Sequence, residues 1–223
     1  MSQAARTQNT AGEVQIRSGA AMLPGELIVS SDARGVVLFA HGSGSSRHSP
    51  RNQFVAQTIR DAGVGTLLFD LLTKDEENAD RYTGHLRFDI ALLAKRLVDA
   101  TTWIESESQF KNLRVGYFGS STGGGAALVA AAQKGDSIGA VVSRGGRPDL
   151  AGNALPHVKS PTLLIVGGLD YPVIDMNRIA FEQLSCKKEL KIVQGASHLF
   201  EEPGTLEQVA RLAAEWFQTH LNT

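Results

Sequence analysis

Apolar residues occur along this chain in short continuous runs that alternate with longer amphipathic stretches. Continuous apolar runs are typical of strands that helices cover on both faces of a parallel sheet. From residue 35 onward the runs alternate with stretches in which apolar residues repeat every three or four positions. The runs predict six strands, at Gly35–Ala40, Thr66–Phe69, Leu113–Phe118, Ile138–Val142, Thr162–Val166 and Leu190–Val193, the last nearer the far edge.

The amphipathic stretches between these runs predict helices. Ser49 and Pro50 supply an N-cap and a first-turn proline for a helix that extends to about Ala62. Leu86 opens a repeat of three- and four-residue steps that continues to Ile104 and predicts a long second helix. A similar repeat predicts a helix close to the C terminus.

The N-terminal part of the chain has a different pattern. Apolar and polar residues alternate in Glu13–Arg17 and in Glu26–Ser30, which predicts an antiparallel hairpin with its turn at Pro24 and Gly25. Residues 1–12 are polar, and we expect them to be flexible. Residues 13–223 then form one domain of the α/β class, a doubly wound, mostly parallel sheet with an antiparallel N-terminal edge.

The composition and charge exclude several classes of function. The chain has 42% hydrophobic and 20% charged residues and a formal net charge of -1, so we expect no nucleic acid or membrane partner. It has no apolar run of the ~20 residues that a membrane span needs and no apolar core of a signal peptide, which predicts a cytoplasmic protein. Cys186 is the only cysteine, which excludes intrachain disulfides and thiolate-rich metal sites.

The first candidate for chemistry follows the third predicted strand. Gly119-Ser120-Ser121-Thr122-Gly123 lies between that strand and a helix of small residues. A glycine, any residue, serine, any residue, glycine run in this context is typical of a nucleophile elbow, a tight turn that lifts the serine above the sheet. Ser121 is therefore the candidate nucleophile.

Two further candidates follow the fifth and sixth predicted strands, where a sheet of this class binds its ligands. Asp170 is placed to accept the Nδ1 proton of a histidine, and His198 is placed to take the serine proton through Nε2. Two alternatives remain open at this point: Asp170 caps the next helix, or Asp149 is the acid. We expect Asp70, at another strand end, to hold loops together.

The loop after the first predicted strand reads His41-Gly42-Ser43-Gly44-Ser45-Ser46. Acyl transfer creates an oxyanion, which two backbone N–H groups can stabilise. The N–H groups of Ser43 and Thr122 are the predicted donors. An alternative is a phosphate cradle, but the loop lacks the Lys-Ser/Thr ending of a P-loop.

Residues 143–161, after the fourth predicted strand, form a segment too short for a helical cap domain, so we expect no lid and an open site. The segment contains Arg144 and Arg147. Their planar guanidinium groups suit an acidic substrate. Pairing with Asp149 or Asp70 is the alternative.

The segments HGSGS, GYFGSSTGGG, VGGLDYPV and GASHLFEEPG resemble those of small dienelactone hydrolase-like α/β-hydrolases. The resemblance spans roughly Val36 to the C terminus. It implies the α/β-hydrolase fold, with Ser121, Asp170 and His198 in that family's chain order. It also implies hydrolysis of an ester or lactone through a covalent acyl-enzyme, without a metal or an organic cofactor.

The elbow residue departs from the family's pattern. Dienelactone hydrolases proper have a cysteine there, whereas this chain has Ser121. The chain is therefore more similar to the serine-bearing relatives, and the lactone specificity is not implied. We expect a serine hydrolase that acts on a small ester, lactone or thioester. The alternative is a binding or regulatory module that uses the same fold without catalysis.

Overall fold

The computed structural model describes residues 10–222, which form an eight-stranded sheet flanked by helices. The strands are β1 (Thr10–Ser18), β2 (Ala21–Val29), β3 (Gly35–Ala40), β4 (Gly65–Phe69), β5 (Arg114–Ser120), β6 (Ile138–Arg144), β7 (Thr162–Gly167) and β8 (Lys188–Val193). Their order across the sheet is β1-β2-β4-β3-β5-β6-β7-β8.

Strand directions agree with the apolar pattern. β2 is antiparallel to both β1 and β4, and every other neighbouring pair is parallel. The prediction of a mostly parallel sheet with an antiparallel N-terminal edge is therefore confirmed, as is the position of β8 at the far edge. Parallel pairing places the carboxyl ends of β3 and β5 to β8 along one edge of the sheet, where the predicted site loops begin.

Helices cover both faces of the sheet. They are α1 (Pro50–Asp61), α2 (Lys74–Thr83), α3 (Ile90–Ser106), α4 (Thr122–Lys134), α5 (Tyr171–Gln183) and α6 (Thr205–Leu221). Val37 and Phe39 of β3 pack in a buried cluster with residues of α1 and α6, whereas Leu38 packs in another with residues of α3 and α4. Alternate residues of one strand thus reach opposite helical layers, so the whole strand is apolar.

The hairpin turn lies at Gly19 and Ala20, so its predicted position at Pro24 and Gly25 is wrong. Gly19 adopts a φ of 59°, which glycine tolerates best. Pro24 and Gly25 lie inside β2, where a Cβ on Gly25 would be 3.0 Å from the Cβ of Phe69. The residue at this position is therefore a glycine because a larger side chain has no room, and not because the chain turns there.

The N terminus and the region before α3 also differ from prediction. β1 includes residues 10–12, which we expected to be flexible, and residues 1–9 lie outside the described part of the chain. The helix expected from Leu86 begins at Ile90, after a short 3-10 segment, because the Asp89 side chain caps it by accepting a hydrogen bond from the N–H of Leu92. The expected cap of α1 by Ser49 is present.

The segment after β6 decides whether a lid domain covers the edge of the sheet. Residues 143–161 hold the end of β6 and a 3-10 segment at Pro148–His157, so the expectation of no lid domain is confirmed.

The sequence did not predict α2, whose residues have no apolar repeat. Across residues 10–222, no helix is both long and apolar enough to cross a membrane.

Candidate active site

Ser121 occupies a strained turn between β5 and α4. Its backbone has φ 51° and ψ -122°, a conformation that costs a residue other than glycine about 1–3 kcal/mol. Three backbone hydrogen bonds hold it there. The Ser121 carbonyl oxygen accepts from the N–H groups of Gly124 and Arg147, at 2.9 and 3.0 Å, and the Ser121 N–H donates to the carbonyl of Arg144 at 3.3 Å.

Close backbone contacts explain the glycines on either side of Ser121. A Cβ on Gly119 would lie 2.4 Å from the carbonyl oxygen of Gly123, and a Cβ on Gly123 would lie 2.1 Å from that of Ala40. Both oxygens belong to the backbone and not to the end of a flexible side chain, so neither can move aside easily. The turn therefore has the geometry of the predicted elbow.

The structure brings Asp170 and His198 together. The loops after β7 and β8 are joined by a hydrogen bond from the Leu169 N–H to the Ala196 carbonyl, at 2.9 Å. Within this frame Nδ1 of His198 lies 2.6 Å from Oδ2 of Asp170. The Asp170 side chain is 14% exposed and that of His198 is 38% exposed, so the carboxylate is shielded while the ring reaches the solvent.

The alternatives for the acid can now be separated. Asp170 is the N-cap residue of α5, but its side chain makes no capping hydrogen bond. Asp149 instead pairs with Arg147 through two hydrogen bonds, of 2.9 and 2.7 Å, between the carboxylate and the guanidinium. Arg147 is thus already paired with an acid, and it does not line the cavity described below. Among the acids considered, Asp170 is the one that contacts His198.

The predicted oxyanion loop lies directly beside the elbow. The Ser43 N–H donates to Oγ1 of Thr122 at 3.0 Å, so this N–H has a partner before any substrate binds. Asp70 fixes the same loop by accepting from the Arg47 N–H at 2.8 Å and pairing with the Arg47 guanidinium. Asp70 thus holds two loops together, as expected.

His41 anchors the start of the oxyanion loop, a role that the sequence did not reveal. The Leu71 N–H donates to Nε2 of His41 at 3.0 Å. A backbone N–H can only donate, so Nε2 carries no proton, and Nδ1–H donates to the Gly42 carbonyl oxygen at 3.0 Å. Burial lowers the pKa of His41 and outweighs the opposing effects of this hydrogen bond and of Asp70. The ring is therefore neutral.

His41 should make the stability of the protein depend on pH. Its pKa is lower in the folded than in the unfolded chain, so below about pH 6.5 the unfolded chain binds more protons. We expect the free energy of unfolding to fall between about pH 6.5 and pH 5 by up to about 1.4 kcal/mol per pH unit. Urea unfolding of the wild type and of His41→Gln across this range measures the difference.

The matched control for this pH experiment is His157→Gln, which removes an exposed histidine. It should keep the slope of the wild type, whereas His41→Gln should be flatter. Equal slopes in the wild type and in His41→Gln would contradict the buried, neutral state of His41.

A cavity of about 810 Å³ joins the candidate residues at the edge of the sheet. Ser43, Ser121, Thr122, Arg144 and His198 all line it, and Asp170 lies behind His198. The lining also includes residues of α2 and of the 3-10 segment after it, namely Glu77, Asp80, Arg81 and Arg87.

The sequence patterns considered above did not reveal this part of the cavity lining. Thr73 and Glu76 form a capping box at the start of α2, with the Glu76 N–H donating to the Thr73 side chain and the Thr73 N–H donating to Glu76. A threonine followed three residues later by glutamate is a known helix-start pattern, and it was the available signal. Because α2 is mostly polar, a search for apolar repeats does not find it.

Comparison with known proteins identifies the family and the fold of the chain. The model of the family described as the dienelactone hydrolase family matches residues 25–222. Among solved structures, a dienelactone hydrolase from Anabaena variabilis is 60% identical, with a TM-score of 0.93 over 96% of this chain and 99% of that one. Est1E from Butyrivibrio proteoclasticus has a TM-score of 0.79 over 95% of this chain and 100% of its own, but only 15% identity, which shows a shared fold.

Two curated relatives have names that denote another class of enzyme. Proteins from two strains of Mycobacterium tuberculosis, whose names include the term phosphoribosyl transferase, are each 56% identical to this chain over 209 residues. The match covers 94% of this chain but 46% of each relative. The chain thus spans about half the length of these relatives.

Proposed function

The chain belongs to the dienelactone hydrolase family, and from this membership we propose that it is a serine hydrolase that cleaves a small ester, lactone or thioester. One observation carries the proposal. Ser121, in its strained turn, lines the same cavity as His198, and the Nδ1 of that histidine lies 2.6 Å from Asp170. A serine, a histidine and a partly shielded acid in these relations are the parts that acyl transfer to a serine requires.

In the proposed reaction, Oγ of Ser121 attacks the carbonyl carbon of the substrate while Nε2 of His198 takes the serine proton. The tetrahedral intermediate collapses, the bond to the leaving group breaks, and His198 returns the proton to the leaving oxygen or sulfur. Water then attacks the acyl-enzyme, with His198 again taking and returning one proton. The products are the free acid and the alcohol or thiol. Asp170 holds the ring with Nδ1–H toward itself and favours the imidazolium.

The oxyanion is proposed to bind the N–H groups of Thr122 and Ser43. Thr122 is the first residue of α4, where N–H groups have no partner within the helix. The Ser43 N–H must share the Thr122 hydroxyl or exchange it for the substrate oxygen. Donors placed in this way can contribute about 3–4 kcal/mol to the transition state.

The name of the mycobacterial relatives suggests a second activity. We propose that phosphoribosyl transfer belongs to the half of those proteins that this chain does not match, because the matched half resembles a chain of the dienelactone hydrolase family. The remaining alternative for this chain is a binding module with an unused site.

Labelling with a fluorophosphonate distinguishes an active serine from an unused one. An activated serine attacks the phosphorus and keeps the adduct, so peptide mapping should find the label on Ser121. Denatured protein, treated in parallel, should stay unlabelled because its serines are not activated. Native protein that remains unlabelled, or a label on another residue, would contradict the proposal.

A further inference from the structure

The side-chain hydroxyl of Thr122 has a hydrogen without an acceptor in the wall of the cavity. Thr122 directly follows Ser121 and lines the cavity, although it is only 3% exposed. Its Oγ1 accepts a hydrogen bond from the Ser43 N–H, at 3.0 Å, and among residues 10–222 no group accepts the hydrogen of this hydroxyl. A hydroxyl can accept and donate at the same time, so Thr122 keeps one donor for a further group.

Other threonines in the helices of this chain use the same hydrogen. The hydroxyls of Thr58, Thr102 and Thr219 donate to the backbone carbonyl four residues earlier, at 3.2, 3.0 and 2.8 Å. Thr122 is the first residue of α4, and four residues earlier the chain is still in β5, so no carbonyl of its own helix is available. A buried donor without an acceptor is costly. We therefore expect a group that enters the cavity to accept this hydrogen.

The hydroxyl lies where the proposed oxyanion forms. The N–H groups of Ser43 and Thr122 are the proposed donors, and Oγ1 of Thr122 is 3.0 Å from the first of them. An anion that binds both N–H groups is therefore also next to the hydroxyl. The hydrogen bond that Oγ1 accepts polarises the hydroxyl and strengthens it as a donor. The N terminus of α4 adds positive partial charge at the same place.

We propose that the Thr122 hydroxyl is a third donor to the oxyanion, beside the two backbone N–H groups. This inference rests on the proposed hydrolysis at Ser121. When Oγ of Ser121 bonds to the carbonyl carbon, the π electrons of the carbonyl move to its oxygen, and Nε2 of His198 takes the serine proton. The Thr122 hydroxyl donates a hydrogen bond to the new anion and keeps its own proton. The side chain of Thr122 is thus a catalytic group, in addition to its backbone.

Thr122→Val tests the third donor, because valine keeps the shape of the side chain and replaces the hydroxyl by a methyl group. We expect kcat for a short p-nitrophenyl ester to fall about 10- to 150-fold, the loss expected for a hydrogen bond to a charged group. KM should change little, since the bond is made only in the transition state. Thr122→Ser restores a hydroxyl and should recover most of the loss. Thr102→Val makes the same replacement at an exposed position of α3 and should keep the kcat of the wild type.

The direction of the change distinguishes a donor from an obstruction. If the hydroxyl only occupied the Ser43 N–H, its removal would free that N–H for the substrate and raise kcat. An unchanged or higher kcat in Thr122→Val would therefore overturn the proposal. So would a loss that Thr122→Ser does not recover.

A reversible inhibitor measures the same donor at equilibrium. Ser121 can add to phenethyl trifluoromethyl ketone and create an oxyanion, whereas the corresponding alcohol has no carbonyl to attack. The inhibition constant of the ketone should rise about 10- to 150-fold in Thr122→Val, and that of the alcohol should not change. Equal weakening of both compounds would indicate a change in the shape of the cavity and would contradict a third donor.

Hydrogen exchange at the Ser43 amide tests whether the hydroxyl only holds the oxyanion loop. In the ketone adduct, the Ser43 N–H should be as protected from exchange in Thr122→Val as in the wild type, because the anion still accepts from it. Weaker ketone binding together with lost protection would assign the hydroxyl to anchoring the loop and overturn its role as a donor. If Thr122→Val does not fold, Thr122→Ala removes the same hydroxyl and should show the same losses.

The outcomes also separate this inference from the proposed function. A wild type that does not hydrolyse the ester, or a Ser121→Ala variant that still does, would overturn the proposed function and this inference with it. Hydrolysis that depends on Ser121 but is undiminished in Thr122→Val would overturn the third donor alone.

Discussion

Ser121→Ala is expected to abolish ester hydrolysis, lowering kcat by about 10⁶-fold, the loss typical when a triad nucleophile is removed. The variant keeps the Cβ, so the backbone at φ 51° is no more strained than before. The Ser121 side chain also makes no capping hydrogen bond to α4. Folding should therefore be unaffected. Release of p-nitrophenolate from a short p-nitrophenyl ester measures the activity, and circular dichroism measures the fold.

Cys186→Ala is the matched control for the nucleophile. It removes the only cysteine of the chain, the residue type that dienelactone hydrolases proper have at the elbow, and Cys186 lies away from the elbow, near Thr162. This variant should keep the activity of the wild type. The assignment fails if Cys186→Ala loses activity or if folded Ser121→Ala retains it.

Asp170→Asn should give the second-largest effect, a fall in kcat of roughly 10⁴-fold, as expected when the acid of such a triad is replaced by its amide. The carboxylate accepts a hydrogen bond from Nδ1–H of His198, whereas an amide can also donate a hydrogen bond to Nδ1. The ring would then carry its proton on Nε2, the atom that must accept the proton of Ser121. Steady-state kinetics on the same ester detects the change.

Asp149→Asn distinguishes the two acids. Its carboxylate pairs with Arg147 in a partly exposed position, where a salt bridge contributes at most about 1 kcal/mol. Turnover should therefore change little. A large loss in this variant, with a small one in Asp170→Asn, would transfer the role of the acid to Asp149.

The sequence predicted the strands of this fold better than its turns. A strand such as Gly35–Ala40 is buried on both faces, so its apolar character is visible without any knowledge of its neighbours. Pro24 and Gly25 have strong turn propensity and so predicted a turn, although contact with Phe69 explains the glycine. Such a contact across the sheet cannot be read from residues that are distant in the chain.

The sequence also predicted only part of the candidate site. Ser121, Asp170 and His198 each follow an apolar strand, so local patterns were enough to propose them. The hydrogen bond from Ser43 to Thr122 depends on a contact between separate loops. No local pattern encodes it. α2 was missed because its residues stabilise the helix through caps and charges and not through an apolar face.

The arrangement of β5, β7 and β8 also sets the time at which the site can form. A chain emerges from the ribosome with its N terminus first, so the elbow at Ser121 exists before His198 has been synthesised. His198 is held in place only after β8 has paired with β7, a late event that joins the edge of the sheet. The serine of a nascent chain therefore lacks its proposed base, and the proposed hydrolysis can begin only when the last strand has been added.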